Sequence, residues 1–180
     1  MISSLIIVAA GNGTRLKGEI PKQYIKIGND TILNLTLKKF LNKDKIKHIQ
    51  PVINKNHANI YYETIKSLQY QENYNKILSP CFGGIERSIS VKLGLKKIAK
   101  LKNVPEKVLI HDAARPFVSD AIIRDILKKL DNYDAVFPGL SIVDAVWKIE
   151  KENFNILNNK NTYFRAQTPQ GFNFKKIFDA

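Results

Sequence analysis

The sequence contains little of the chemistry that builds disulfides and metal centres. Cys81 is the only cysteine in 180 residues, so neither an intramolecular disulfide nor a thiolate metal cluster can form. The three histidines, His48, His57 and His111, do not stand at a recognisable ligand spacing. We therefore expect the single thiol to be structural or incidental.

Long apolar runs are also missing. No run approaches the ~20 residues that a membrane-spanning helix needs. The amino terminus enters a strand-like segment without the basic region and cleavage site of a signal peptide. We therefore expect a cytoplasmic protein. With 44% hydrophobic and 25% charged residues, the chain can build one globular domain with a sizeable core.

Acidic residues are scarce relative to basic ones. The 29 Lys and Arg residues outnumber 16 Asp and Glu residues, which gives a formal charge of +13. Such an excess can mark a nucleic-acid-binding protein, but the lysines are scattered among Asn and Ile and form no arginine-rich block. The charge therefore favours anionic ligands in general, and nucleic acid is not the partner we expect.

Apolar segments alternate with amphipathic ones, which is typical of a doubly wound α/β fold. The predicted strands, most of them parallel, cover residues 5–10, 49–53, 108–111 and 135–140. Four helical stripes separate or follow them. The stripes are Leu33, Leu37, Phe40 and Leu41 after Thr31 as N-cap; Tyr61, Ile65 and Leu68; Val91, Leu95, Ile98 and Leu101; and Ile123, Ile126, Leu127 and Leu130 after Ser119. A short amphipathic piece, 174–178, closes the chain.

The pattern changes between residues 143 and 165. Val143, Trp147 and Ile149 precede an Asn- and Lys-rich turn, and Tyr163 and Phe164 follow it. This arrangement predicts a β-hairpin or arm with exposed apolar groups, which often pairs with a second subunit.

The segment that starts at the first predicted strand, LIIVAA followed by GNGTRL and PKQY, points to a triphosphate ligand. Gly11 and Gly13 let main-chain N–H groups approach phosphate oxygens, while Arg15 and Lys22 supply positive charge. A dinucleotide fingerprint would need glycine where Leu16 stands, and the Gly-Lys-Ser/Thr of a P-loop is missing. A turn that only reverses the chain is the competing interpretation.

Two later segments place polar groups beside turns. In VLIHDAARPF, Asp112 ends a predicted strand and could hold a divalent metal or a ribose hydroxyl, with Arg115 adding positive charge. An Asp–Arg ion pair that caps the strand is the alternative. In RAQTPQGF, Thr168 offers a hydroxyl before a proline, although an ordinary X-Pro turn explains that segment as well.

The segment GGIERSISV combines a glycine pair with a helix start. Gly83 and Gly84 permit close approach to a base or a sugar, and Arg87 with Ser90 opens a helix whose amino terminus favours anions. A glycine turn before a helix is again the simpler alternative.

Taken together and in this order, the motifs AAGxGxRL, PKQY, GGxxR, HDAARP and TPQ resemble the 2-C-methyl-D-erythritol 4-phosphate cytidylyltransferase family of isoprenoid biosynthesis. The match covers residues 5–172. It implies an α/β, three-layer Rossmann-like nucleotidyltransferase fold with a mostly parallel sheet and a protruding β-arm. It also implies CTP and a sugar-alcohol phosphate as substrates, Mg²⁺ or another divalent cation as cofactor, and a homodimer formed through the arm.

The resemblance assigns a role to each matching residue. Arg15 and Lys22 would be catalytic, by stabilising charge in the transition state. Asp112 would face CTP, the metal ion and the second substrate. The remaining residues would bind CTP (Ala9, Ala10, Gly11, Gly13, Gly83, Arg87 and Ser90) or the alcohol phosphate (Arg115, Lys160 and Thr168).

The chain departs from the family pattern in three places. Ala145 follows Asp144 where relatives carry a threonine, and Lys160 stands where an arginine is common. Relatives also continue past TPQ with a Thr-Asp-Glu segment and a late lysine. We therefore expect residues 1–180 to be one nucleotidyltransferase domain, C-terminally incomplete, such as part of a fusion with 2-C-methyl-D-erythritol 2,4-cyclodiphosphate synthase.

Three other functions compete with this interpretation. A ribitol-5-phosphate cytidylyltransferase would share all four segments that carry these motifs and differ in its contacts to the second substrate. A sugar-1-phosphate nucleotidyltransferase also uses a glycine loop, but HDAARP argues against it. A basic nucleotide- or RNA-binding module without catalysis would bind in a strongly salt-dependent way.

Overall fold

The computed structural model describes residues 2–11, 20–150, 153–156 and 162–180. Its strands are β1 (Ser3–Ala9), β2 (Lys26–Ile27), β3 (Asp30–Thr31), β4 (Ile46–Ile53), β5 (Cys81–Phe82), β6 (Lys107–Asp112), β7 (Ala135–Val136), β8 (Gly139–Ser141), β9 (Trp147–Glu150), β10 (Asn153–Ile156), β11 (Phe164–Ala166) and β12 (Gln170–Asn173). Its α-helices are α1 (Ile32–Leu41), α2 (Ala58–Lys66), α3 (Arg87–Ile98), α4 (Asp120–Lys129) and α5 (Phe174–Asp179). Short 3₁₀ turns cover Lys22–Tyr24, Lys55–His57 and Tyr74–Lys76.

A six-stranded sheet forms the centre of the fold, in the order β5-β4-β1-β6-β12-β7. β1 lies between β4 and β6 and is parallel to both, and β5 continues the parallel arrangement beside β4. β12 runs antiparallel to its neighbours β6 and β7. The sheet is therefore mostly parallel, as the sequence predicts.

The two faces of the sheet are covered by different helices. Leu5 and Ile7 of β1 belong to a core that contains the apolar side chains of α1, α2 and α4. Ile6, which points to the opposite face, packs in a second core with residues of α3 and α5. Because side chains alternate along a strand, one apolar strand contributes to both layers. The three-layer α/β arrangement is confirmed.

The helices begin where the sequence predicts them. The Thr31 side chain accepts a hydrogen bond from the Asn34 N–H at 3.1 Å, and the Ser119 side chain accepts one from the Ile122 N–H at 3.3 Å. Each cap satisfies an amide that has no partner within its own helix, which stabilises the first turn. Phe40, from the first predicted stripe, is fully buried.

The predicted strand at 135–140 is wrong in one respect. The structure contains two short strands there, with β7 in the central sheet and β8 paired antiparallel with β11 outside it. Pro138 stands between them and lacks the N–H that a continuous strand would need. The sequence also gave no indication of β12, which inserts between β6 and β7.

The arm is confirmed where the structure describes it. β9 and β10 form an antiparallel hairpin in which Ile149 lies opposite Phe154 and Trp147 lies opposite Ile156. Directly opposite residues share a face, and so do residues two apart along a strand. One face of the hairpin therefore carries four large apolar side chains, each more than half exposed.

Cys81 is buried, and burial raises the pKa of its thiol, which suits a structural residue. Within the described ranges, no helix combines the length and hydropathy needed to cross a bilayer.

Candidate active site

The candidate site lies at the carboxyl ends of the parallel strands. Pairing places Val8 beside Asp112 on one side and beside Val52 on the other, so β1, β4 and β6 end at one level. The segment after β5 joins them, because the Gly83 N–H donates to the Ile53 carbonyl at 2.8 Å. In open α/β sheets this edge is where ligands bind.

The glycine turn after β5 packs tightly against the end of β1. A Cβ built on Gly83 would overlap the Ala10 Cβ and would stand 2.6 Å from the Ser90 Oγ. The Ser90 hydroxyl accepts from the Gly84 N–H at 3.1 Å and donates to the Glu86 carbonyl at 3.1 Å. Ser90, predicted to hold the nucleotide, is buried and shapes this turn. Its direct contact with CTP stays a prediction.

Next to this turn, the segment after β1 is held by a residue that the sequence analysis did not single out. The Gln23 Nε2 donates to the Ala9 carbonyl at 2.9 Å and to the Gly11 carbonyl at 3.2 Å. Lys22 precedes Gln23 at the start of a 3₁₀ turn and is exposed. The predicted phosphate-binding residues Gly13 and Arg15 lie outside the described residues.

Two arginines share the carboxylate at the end of β6. Arg115 Nε donates to Asp112 Oδ2 at 2.9 Å, and Arg87 Nε donates to Asp112 Oδ1 at 3.3 Å. Two glutamines of the TPQ region hold the far ends of these guanidinium groups: Arg115 Nη1 donates to Gln167 Oε1 at 2.5 Å, and Arg87 Nη2 to Gln170 Oε1 at 3.2 Å. The structure thus brings together residues from three of the predicted motifs.

Behind the exposed ion pairs lies a buried polar link. His111 is fully buried, with its Nδ1 3.0 Å from the Thr168 Oγ1 and its Nε2 2.9 Å from the Arg115 carbonyl oxygen. Burial lowers the pKa of His111 to about 4, so the imidazole is neutral at pH 7. The predicted substrate residue Thr168 is half-buried and also lies 3.4 Å from the Asp112 N–H.

The similarity of this chain to known proteins agrees with a ligand-binding site at these strand ends. The family model described as 2-C-methyl-D-erythritol 4-phosphate cytidylyltransferase matches residues 3–180. The chain belongs to this family.

Relatives of the family come as separate and as fused enzymes. The chain is 38% identical over 178 residues to the 2-C-methyl-D-erythritol 4-phosphate cytidylyltransferase of Clostridium botulinum strain 657, covering 98% of this chain and 75% of that protein. It is 38% identical over 174 residues to a bifunctional enzyme IspD/IspF of Wolbachia pipientis, covering 96% of this chain and 42% of that protein. The chain therefore spans less than half the length of this fused relative.

Solved structures of the cytidylyltransferase family share the fold. The Francisella tularensis enzyme superposes with a TM-score of 0.75 at 32% identity, over 99% of this chain and 76% of that one. The enzyme from Anaerococcus prevotii gives a TM-score of 0.78 at 27% identity, over 99% and 74%. These likenesses support the nucleotidyltransferase fold.

Not every expected residue of the cytidylyltransferase site can be placed. Ala9, Ala10, Gly11, Gly83, Arg87, Asp112, Arg115 and Thr168 converge on the strand ends described above. Lys160, expected on the arm, lies outside the described residues. Four further residues of this region were not predicted from the sequence, although each stands inside or beside one of the motifs: Gln23, His111, Gln167 and Gln170.

Asp112 is the residue expected to face a metal ion. Within the described ranges, no three His, Cys, Asp or Glu side chains gather closely enough to hold a cation by themselves. Mg²⁺, however, is usually held by one or two carboxylates together with substrate phosphates. An ionised carboxylate has about four acceptor positions, and the two arginines occupy two of them. Asp112 therefore fits the role of a single carboxylate ligand.

Proposed function

We propose that the chain forms one nucleotidyltransferase domain that joins CTP to 2-C-methyl-D-erythritol 4-phosphate. The products would be 4-diphosphocytidyl-2-C-methyl-D-erythritol and pyrophosphate. The Asp112 carboxylate between Arg87 and Arg115 is the observation that carries the proposal. Two guanidinium groups against one carboxylate leave positive charge at the strand ends, which favours anionic substrates. Family membership supports the choice of nucleotide and alcohol.

The chemistry needs positioning more than proton transfer. A phosphate oxygen of the alcohol phosphate would attack the α-phosphorus of CTP, and the bond from that phosphorus to the β-phosphate oxygen would break. The electron pair leaves with pyrophosphate, and the attacking group is already an oxyanion at neutral pH. Catalysis therefore comes from alignment and from stabilising charge on the five-coordinate phosphorus. Arg15 and Lys22 are the residues we assign to that stabilisation.

The site would use Mg²⁺ or another divalent cation with the nucleotide. When bound, such an ion neutralises negative charge on the phosphates of CTP. Asp112 would hold it through an acceptor position that the arginines leave open. Arg87 and Arg115 would keep the carboxylate oriented, because each donates to a different oxygen of the carboxylate.

The experiment that tests the proposal is release of pyrophosphate by the purified chain with CTP and Mg²⁺. Methylerythritol phosphate and ribitol phosphate are compared as acceptors. Turnover with methylerythritol phosphate supports the proposal. Turnover with neither acceptor, together with RNA binding that weakens steeply with salt, would favour a non-catalytic binding module.

A ribitol-5-phosphate cytidylyltransferase is the second candidate, and one observation favours it. Ala145 is exposed at the base of the arm and offers no hydroxyl where the family pattern has a threonine. A lost hydroxyl contact changes recognition of the alcohol more than recognition of the nucleotide. Turnover with ribitol phosphate alone would establish this alternative.

We also propose that the arm pairs two copies of the chain. The hairpin face formed by Trp147, Ile149, Phe154 and Ile156 has exposed side-chain fractions of 55%, 65%, 65% and 52%. Contiguous apolar patches rarely stay exposed in a protein that works as a monomer. A second copy of the same face would remove this surface from water in a two-fold dimer.

A further inference from the structure

The buried histidine behind the Asp112 ion pairs connects two segments that are far apart in sequence. His111, the penultimate residue of β6, has no exposed surface, and its ring packs edge-on against Phe40 with ring centroids 5.0 Å apart. One ring nitrogen faces the Arg115 carbonyl and the other faces the Thr168 hydroxyl. His111 thus joins the HDAARP turn to the TPQ loop, 57 residues further along the chain.

The contacts determine which nitrogen carries the hydrogen. A carbonyl oxygen only accepts hydrogen bonds, so the Nε2 that faces the Arg115 carbonyl at 2.9 Å must donate. In a neutral imidazole the other nitrogen is then an acceptor. The Thr168 hydroxyl therefore donates to the His111 Nδ1 at 3.0 Å.

This direction limits what the Thr168 hydroxyl can do for a substrate. A hydroxyl has one hydrogen to donate and two lone pairs. The hydrogen is committed to His111, and one lone pair faces the Asp112 N–H at 3.4 Å. The remaining lone pair can accept a hydrogen bond from a substrate hydroxyl. It cannot bind a phosphate oxygen, which is itself an acceptor.

We propose that His111 is a positioning residue, which fixes the Thr168 side chain and the Arg115 main chain so that both segments meet the alcohol phosphate in one geometry. The inference rests on the proposed cytidylyl transfer. His111 itself is sealed from the site by burial and does not touch a substrate. Its effect is therefore exerted through Thr168 and Arg115, which lie on the side assigned to the alcohol phosphate.

Two substitutions separate the two hydrogen bonds. His111→Gln places an amide nitrogen near the position of Nε2, which keeps a donor for the Arg115 carbonyl and removes the acceptor for Thr168. His111→Asn places an amide oxygen near Nδ1 and does the reverse. Thr168→Val removes the hydroxyl at nearly constant volume and serves as the milder variant if the buried substitutions do not fold.

The measurement is the KM for each substrate with the full chain. We expect His111→Gln and Thr168→Val to raise the KM for the alcohol phosphate by about 10- to 100-fold, as misplacement of a substrate-contacting group does. The KM for CTP should stay within about threefold of the parent, because the Ala9–Gly11 segment is held by Gln23 instead. The double variant should resemble the single ones, since both remove the same hydrogen bond.

A matched control and a spectroscopic readout complete the test. His48→Gln breaks a similar histidine–hydroxyl contact, from His48 Nδ1 to Ser4 Oγ at 3.3 Å, at the amino ends of the strands, and should leave both KM values unchanged. In ¹⁵N NMR spectra of the parent, Nδ1 of His111 should be the unprotonated nitrogen, and Thr168→Val should shift its signal more than that of Nε2.

The outcomes distinguish this proposal from the proposed function. An active parent whose His111 and Thr168 variants raise both KM values equally, or whose double variant is additive, overturns the positioning role alone. A protonated Nδ1 also overturns it. A parent that turns over neither alcohol phosphate overturns the proposed function and this inference together.

Discussion

Gln23 Nε2 donates hydrogen bonds to the main-chain carbonyls of both Ala9 and Gly11, at 2.9 and 3.2 Å. Gln23 and Ala9 are only 5% and 2% exposed, so the hydrogen bond to the Ala9 carbonyl is buried, whereas Gly11 is exposed. With its carbonyls held in this way, the segment after β1 is fixed next to the region predicted to contact phosphates. Lys22 directly precedes Gln23 in the chain.

Gln23→Leu should therefore weaken CTP binding as well as the fold. The buried Ala9 carbonyl, left without this donor, would cost about 1–3 kcal/mol of unfolding free energy. We expect a lower urea midpoint and a rise in the KM for CTP that exceeds any rise for the alcohol phosphate. Gln50→Leu is the matched control, because the buried Gln50 Nε2 also donates to two carbonyls, of Pro51 and Ser79. If both variants changed the KM for CTP equally, Gln23 would have no special link to the site.

Lys22→Ala tests the predicted role of this lysine in catalysis. The side chain is exposed, so its removal should leave the unfolding free energy nearly unchanged. Loss of a donor that stabilises transition-state charge should lower kcat by about 10²- to 10³-fold. The comparison is Lys47→Ala, which removes an exposed lysine near the amino end of β4. A Lys22→Ala enzyme within a few fold of the parent would contradict the assignment.

Gly83→Ala should disturb the turn that the sequence predicts to receive the base or sugar. The added methyl group would overlap Ala10 and press on the Ser90 hydroxyl, which also holds Gly84. Overpacking of this kind costs about 1–3 kcal/mol, and we expect a lower Tm with weaker CTP binding. Gly11→Ala is the stability control, since a Cβ there meets no atom of the described residues within 4 Å. An unchanged Tm for Gly83→Ala would contradict the tight packing.

Sequence patterns predicted the layers of this fold better than its edges. The stripe ending at Phe40 and the cap at Thr31 are local signals, and both are confirmed. β12 depends on pairing with β6, which lies about 60 residues earlier, and Gly171 weakens any local strand signal. The prediction at 135–140 failed because its apolar residues outweighed Pro138, which separates β7 from β8.

The same distinction applies to the site. Asp112 and Arg115 could be found from sequence because charged residues after a predicted strand mark a ligand-binding edge. His111 could not be assigned a role in this way. Its partner Thr168 lies 57 residues away in sequence. In the apolar strand β6, a histidine cannot be distinguished by sequence from an ordinary core residue. Gln23 was not predicted for a similar reason. Its partners are main-chain carbonyls, which every residue carries, so the residue types at those positions give no sign of the contact.

The pH dependence of stability should contain a contribution from Asp120, at the start of α4. Hydrogen bonds from Lys39 and Lys43 lower the pKa of this carboxyl to about 2 from its ordinary 3.8. The folded state therefore favours the ionised form. Its stabilising effect is present above about pH 4 and is lost as the pH falls towards 2. Asp120→Asn should lower the urea midpoint at pH 7, with a difference from the parent that disappears in acid.

Salt provides the check on that interpretation. The Asp120 carboxylate is exposed and lies 2.5 and 2.8 Å from the two lysine Nζ atoms. Screening over a Debye length of about 3 Å at 1 M salt should reduce the difference between parent and variant at pH 7. A difference that persists unchanged at pH 2 would assign it to a cause other than the ion pairs.

The arm supplies the sharpest test of the proposed dimer. Ile149→Asp places a charge in the centre of the apolar hairpin face, opposite Phe154, and burying that charge in an interface would be costly. We expect the parent to sediment as a concentration-dependent dimer and the variant as a monomer. Asn155→Asp adds one charge to the same hairpin on the opposite face, so this control should remain dimeric. A parent that sediments as a monomer at every concentration would contradict the dimer, whereas a dimeric Ile149→Asp variant would place the interface on another surface.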